Sequence, residues 1–247
     1  MINRTIKWFK HANLFYLFDR ERVLTKKYQK DIKRIDSNHI RVGNYYLDNR
    51  VPLDDKSIVY SLGILTDISF DLFIAENYKC EVFMYDPTPT SIKFMERYST
   101  NRLLKYEPYG VWTEKSLLKF YESPLGGSAS TVHQLSDRFF EAECLTMQQL
   151  MEINKHSEIS VFKADIEGAA LPILKQMIEN EIHPDQIIVE FERPKGNMEE
   201  ISNFFNDVSS LRKKLIDQGF EEFILPRLSA KYYSLEMLFV NTKKRTK

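Results

Sequence analysis

Glycine is sparse in this chain, 8 residues among 247, and nowhere do three glycines stand close together as in the turns that admit a dinucleotide pyrophosphate. That absence argues against a phosphate-rich cofactor. Cysteine is scarcer still: Cys80 and Cys144 have neither metal-ligand spacing nor the density of a disulfide framework, and read as buried, reduced thiols. An excess of one charge is also missing. The 35 Lys and Arg balance the 35 Asp and Glu, so there is no overall basic footprint for a nucleic acid. No apolar run approaches membrane-spanning length, and residues 1–22 are interrupted by charges too often to act as a signal peptide. The expected location is the cytoplasm. What remains is an ordinary globular composition, 43% hydrophobic and 28% charged, without a break that would divide the chain.

The most informative stretch is Ser57 to Pro89. An apolar run, Ile58 to Leu62, ends at Gly63; a polar turn leads into a helical pattern; a second run, Val82 to Tyr85, ends at Asp86. This predicts a βαβ unit in a parallel sheet covered on both faces, where ligands bind beyond the carboxyl ends of the strands. Glycine at one such end permits close backbone approach, and an acid at the next can accept two hydrogen bonds from ribose hydroxyls. An adenosine cofactor without phosphates, such as S-adenosylmethionine, fits this pair. A plain βα turn followed by a surface aspartate fits the same stretch.

Before this unit, residues 1–35 read as a basic helical extension with Ile6, Phe9, Leu14, Leu17 and Phe18 as a possible apolar face. Lys26, Lys27, Lys30, Lys33 and Arg34 stand against the single acid Asp31. Weak contact with an anionic membrane surface or an acidic glycan is compatible with that cluster, while a solvated helix face or a lid packed on the main domain is the favoured reading. Gly43 to Pro52 is rich in turn formers and tyrosine and is a candidate border of the substrate pocket.

After the unit, Thr90 or Ser91 is expected to cap a short helix. Leu103 to Trp112 reads as a third strand broken by Pro108, with Leu117 to Tyr121 pairing against it. Val111 and Trp112 then stand where residues flanking adenine would, although an aromatic at a strand end also suits a core. Pro124 to His133 holds the only glycine pair and is a candidate lid, with His133 a candidate base. Thr146 and Gln149 form a capping box.

Two further strands carry acids at their ends. Ile159 to Asp165 alternates so that Val161, Lys163 and Asp165 share one side, with Glu167 beyond; Gln186 to Glu192 brings Glu190 and Glu192 to the same side. Parallel sheets gather such ends into one crevice. Lys163 inside a strand calls for a nearby acid as ion-pair partner. A helix from about Met198 to Gln218, stopped by Gly219, precedes two strands, Phe220 to Leu225 and Leu235 to Asn241, whose short connection makes them antiparallel. The predicted fold is α/β: a Rossmann-like, class I methyltransferase layout with a seven-stranded, mostly parallel sheet, an antiparallel C-terminal hairpin and an N-terminal helical extension. The domains fall at residues 1–40, 41–242 and a disordered basic tail, 243–247.

In the same order, GNYYLDNRVPLDDKSIVYSLGILTDISFD, CEVFMYDPTP, FKADIEGAALPIL and QIIVEFE resemble the successive motifs of the FkbM family of S-adenosylmethionine-dependent methyltransferases, from roughly Arg41 to Asn241. The resemblance implies methyl transfer to oxygen, on a hydroxyl of a sugar, a glycan or a related small molecule. It also implies that Gly63 belongs to the first cofactor motif, Asp67 and Ser69 to its polar turn, and Asp86, beside Pro87, to the ribose site. Lys163, Asp165, Glu167 and Gly168 match the K-x-D-x-E-G signature. Two residues depart from the family: Leu65 stands in place of a second glycine, and Glu192 in place of a histidine.

Methyl transfer from a sulfonium needs an aligned nucleophile and a proton acceptor. The candidate base is Asp165, with Glu190 and Glu192 lining the acceptor pocket and clustered carboxylates raising one another's pKa. For Asp165 and Glu167, capping the next helix is the competing reading. No resident metal is expected, although a divalent cation shared by Asp165, Glu190 and Glu192 suits their oxygen ligands. Leu65 and the missing histidine also keep open a scaffold or partner protein of this fold in a biosynthetic complex, without catalysis.

Overall fold

A computed structural model of the chain describes residues 27–123, 129–134, 136–194, 197–226 and 234–246. The expected N-terminal helix up to residue 26, and residues 124–128 of the glycine-pair loop, lie outside the described residues.

The strands in chain order are β1 (Lys33–Arg34), β2 (His39–Val42), β3 (Tyr45–Asp48), β4 (Ile58–Leu62), β5 (Glu81–Tyr85), β6 (Leu104–Glu107) and β7 (Gly110–Val111). They continue as β8 (Ser116–Glu122), β9 (Ala129–Ser130), β10 (Phe139–Leu145), β11 (Val161–Ala164), β12 (Gln186–Glu192), β13 (Phe220–Ile224) and β14 (Ser234–Asn241). The helices are α1 (Ser69–Tyr78), α2 (Pro89–Met95), α3 (Met147–Asn154), α4 (Ala170–Glu179) and α5 (Met198–Asp217).

The main sheet runs β1-β13-β14-β12-β11-β4-β5-β6. From β12 through β6 all pairings are parallel, whereas β14 is antiparallel to both β12 and β13. The anticipated five βα strands and closing hairpin are therefore present. One strand is added: Lys33 and Arg34, expected in a helix, pair in parallel with Phe223 and Ile224. The open edge of β13 supplies backbone partners that a helix there would leave unused.

The sheet is buried on both faces. Phe162, Phe191 and Phe239 meet α3, α4 and α5 on one side, and Val59, Val82, Val161 and Ile188 meet α1 and the β2–β3 hairpin on the other. Cys80 and Cys144 are free and buried, as their spacing implied.

A second sheet, β7-β10-β8-β9, stands outside the first. Leu117 to Tyr121 was expected to pair with the third strand, but β8 pairs antiparallel with β10 instead. Pro108 explains the change. It ends β6 in the main sheet, and the chain resumes as β7 alongside β10.

Local end signals are read with mixed success. Thr146 and Gln149 form the anticipated capping box. The cap of α2 is Thr88, not Thr90 or Ser91, because Pro89 takes the first helical position, where its missing N–H has no consequence. The basic tail, expected to be disordered, is seated: Arg245 donates to the buried Asp48 carboxylate at 2.9 Å and also pairs with Glu221, and the Thr246 N–H donates to the Arg50 carbonyl at 2.7 Å. A carboxylate sealed from water requires cations, and Arg50 and Arg245 both serve Asp48.

Candidate active site

The chain reverses its direction of sheet growth between β4 and β11. Ligand crevices in open α/β sheets lie at such switch points, beyond the carboxyl ends of the strands. A cavity of about 270 Å³ occupies this position. Gly63, Asp67, Asp86, Pro87, Val111 and Asp165 line it, which brings together most of the residues singled out in the sequence.

Gly63 has φ +74°, and a Cβ there would stand 1.8 Å from the Asp165 backbone carbonyl oxygen. Glycine is therefore required by the approach of β11, in addition to any ligand. Leu65, two residues on, also takes a left-handed backbone, φ 45°. That conformation explains why a glycine suits this position, and a leucine carries about 1 kcal/mol of strain there.

Asp86 organises the turn. Its Oδ2 accepts the N–H groups of Ile64 at 3.0 Å and Leu65 at 2.9 Å, and its Oδ1 accepts that of Thr88 at 2.9 Å. A carboxylate offers about four lone-pair directions, so one remains for a ligand rather than the two anticipated for a ribose. Tyr106 and Ser91 hold the same loops, donating to the carbonyls of Asp86 and Leu65.

Asp67 accepts the Ser69 N–H and the Asn44 side-chain amide, both at 3.0 Å. Ser69 is not among the cavity-lining residues. Its Oγ lies 2.6 Å from where Gly43 would carry a Cβ, so it seats the β2–β3 turn against α1. Trp112 also lies off the lining and packs partly buried on the core, whereas its neighbour Val111 faces the cavity.

Across the cavity, Asp165 Oδ2 accepts a hydrogen bond from the Tyr45 hydroxyl at 2.8 Å. Burial, then the adjacent Asp165 charge, push the Tyr45 phenol upward, so it is a fixed proton donor. Glu190 lies behind Asp165 and off the lining. Burial, then the charge of Asp165 and a hydrogen bond to it, push Glu190 up to about 9, which keeps it neutral near pH 7. Glu192 and Ser234 act on Glu190 from farther along the sheet. Among the described residues, no group of three or more His, Cys, Asp or Glu side chains is arranged to hold a metal ion.

Lys163 lies beneath both walls. Its ammonium donates to the carbonyl of Gly63 at 2.8 Å and sits 5.1 Å from the Tyr45 ring centroid. An acidic neighbour comes from outside the sheet. It is Asp71 of α1, fully buried, whose carboxyl is pushed up by burial and drawn back down by Lys163.

The helix-cap reading does not describe Asp165 or Glu167, because the N-cap of α4 is Ala169. His133 packs against Gly168, 2.7 Å from the absent Cβ, and does not line the cavity. Sequence reasoning placed Tyr45 in a pocket-bordering segment without assigning it a role. Tyr45 to Asp48 shows no apolar alternation in sequence or burial, so no periodic signal pointed to it.

The strand order, the glycine turn and the acid after β5 define a Rossmann-like, S-adenosylmethionine-dependent methyltransferase. Residues 60–222 match the family model described as the Methyltransferase FkbM domain, and the chain belongs to this family. No curated protein gives a significant match. Among solved structures, the chain is similar to an rRNA methylase from Streptococcus thermophilus at 10% identity and TM-score 0.42, covering 76% of this chain and 89% of that one. It is similar to M. capricolum TrmK in complex with S-adenosyl-homocysteine at 10% identity and TM-score 0.42, covering 80% and 67%. A TehB-like methyltransferase from Corynebacterium glutamicum gives 10% identity and TM-score 0.40, covering 79% and 84%.

Proposed function

We propose that this methyltransferase transfers its methyl group to oxygen, on a hydroxyl of a sugar, a glycan or a related small molecule, in the cytoplasm and without a nucleic-acid partner. The carrying observation is the Asp165 carboxylate, which lines the same cavity as Gly63 and Asp86 and accepts a hydrogen bond there from Tyr45. A carboxylate so placed is suited to take the proton of an acceptor hydroxyl.

S-Adenosylmethionine, when bound, supplies an electrophilic methyl group on a sulfonium. The remaining lone-pair direction of Asp86 suits one ribose hydroxyl, and the Gly63 turn admits the cofactor backbone closely. Val111 and Pro87 offer apolar surface to the adenine, and Asp67 is an acid for the ammonium of the methionine part. Asp165 accepts the acceptor's proton, and neutral Glu190 donates to Asp165 from behind. Glu192 acts through Glu190. The two buried free cysteines agree with a reducing compartment.

Calorimetric titration with S-adenosylhomocysteine, with NADH as control, is the first test. Binding of the former alone, weakened in Asp86→Ala, together with labelled-methyl transfer that is lost in Asp165→Ala, supports the reading. No binding at millimolar ligand favours a non-catalytic scaffold, and retained turnover in Asp165→Ala removes that residue from the mechanism.

A further inference from the structure

Tyr45 lies outside the main sheet and outside the K-x-D-x-E-G segment, yet the structure fixes it in the cavity. It follows the Gly43–Asn44 turn of the β2–β3 hairpin, and its ring meets Phe70 edge-on at a centroid distance of 5.7 Å. The other end of β3 is anchored. The Asp48 N–H donates to the buried Gln186 side chain at 2.8 Å, and the Asp48 carboxylate is held by Arg50 and Arg245. The result is a rigid arm that delivers one hydroxyl to one carboxylate across 120 residues of sequence.

We propose that Tyr45 is a catalytic residue of the acceptor site, its O–H and the Asp165 carboxylate together gripping the acceptor hydroxyl. The inference rests on the O-methyl reading above and names the chemistry that selects oxygen. A hydroxyl oxygen carries one proton and two lone pairs. When the acceptor binds, the Tyr45 O–H turns from Asp165 Oδ2 to one lone pair of the acceptor, whose own proton takes the vacated place on Asp165, so that a single lone pair remains, fixed in direction, for attack on the methyl carbon. The O–C bond forms as the C–S bond breaks with its electron pair passing to sulfur, and the hydroxyl proton passes to Asp165. Nothing is oxidised or reduced. A carbon nucleophile has no lone pair for Tyr45, and a thiol accepts only weakly, so the grip discriminates by element.

The test compares the full chain with Tyr45→Phe, which keeps the ring and removes only the hydroxyl. Three readouts are taken: S-adenosylhomocysteine affinity, labelled-methyl transfer to a panel of methyl glycosides, and the tyrosine Cζ resonances of cofactor-product-loaded protein titrated with the same glycosides. The Tyr45 resonance is the one missing from the variant. The expected result is an unchanged Kd within about twofold, a kcat lower by about 100-fold, and movement of the Tyr45 resonance when glycoside binds. Equal kcat overturns the proposal, and so does a kcat loss matched by an equal loss of affinity for S-adenosylhomocysteine, which marks a structural role. Absence of transfer by the wild type defeats the O-methyl reading separately. The resonance then decides the grip: movement upholds it and stillness overturns it.

Discussion

The two walls of the cavity are built in different ways. The wall at β4 and β5 is made from backbone: the Gly63 turn, the N–H groups of Ile64, Leu65 and Thr88, and one carboxylate, Asp86, that ties them together. The wall at β11 is made from side chains, with Asp165 and Tyr45 arriving from separate elements and Glu190 of β12 backing Asp165 from off the lining. Backbone geometry is set by a few adjacent residues, so the first wall tolerates little variation and leaves a motif. The second depends on which side chains converge, and can change its chemistry without changing the fold.

The sharpest way to break this contrast is at the point where the walls meet. Gly63→Ala forces a Cβ into the Asp165 carbonyl at a left-handed backbone position, and is expected to cost about 3 kcal/mol or more and to abolish S-adenosylhomocysteine binding. Urea denaturation and calorimetry measure both; a stable, binding variant would mean that the strand ends are not in contact. Asp86→Ala leaves three N–H groups unpaired and should lower stability by about 2–4 kcal/mol while weakening the cofactor product at least about tenfold. Loss of affinity without loss of stability would assign Asp86 to the ligand alone.

On the second wall the balance is reversed. Asp165→Asn should reduce turnover by about 100-fold or more while leaving S-adenosylhomocysteine affinity nearly intact. It should also lower the Glu190 pKa from about 9, because the neighbouring charge and its hydrogen bond raise it, and carboxyl-carbon NMR reads the change directly.

Glu190 also predicts a pH effect on stability. In the unfolded chain it ionises near its ordinary value of 4.5, and in the folded protein near 9. Between those values the unfolded chain binds fewer protons, so stability falls as pH rises through that window and levels off above it. Glu190→Gln should remove this slope, gaining on the wild type from about pH 5 to about pH 8 in parallel urea titrations. The smallest effect is expected at Leu65→Gly, where relief of about 1 kcal/mol of left-handed strain is largely offset by the backbone entropy of glycine. A large destabilisation there would show that the leucine side chain supports the turn.

Legibility followed the same division. Gly63, Asp86 and Asp165 were recognisable because apolar runs mark strands, and strand ends in parallel sheets are where ligands bind. Ser69 and Trp112 do not line the cavity, and Trp112 follows the core reading left open for it, because proximity in sequence to a cofactor turn does not decide which way a side chain faces. Lys163 was expected to have a nearby acid, but that Asp71 of α1 is one depends on the packing of a helix that no strand pattern reveals. Pro108 announced a break in the third strand without announcing that the chain would leave the sheet.

The sequence by itself determined the five parallel strands and the closing hairpin, and carried the motifs of the family, because periodicity and turn chemistry act over a few neighbouring residues. Tertiary structure decided the rest. It brought the Asp165 carbonyl against Gly63, placed the Tyr45 hydroxyl 2.8 Å from Asp165 and kept Glu190 neutral. Close approach and desolvation depend on every element packed around a group, and no local stretch of sequence carries that information.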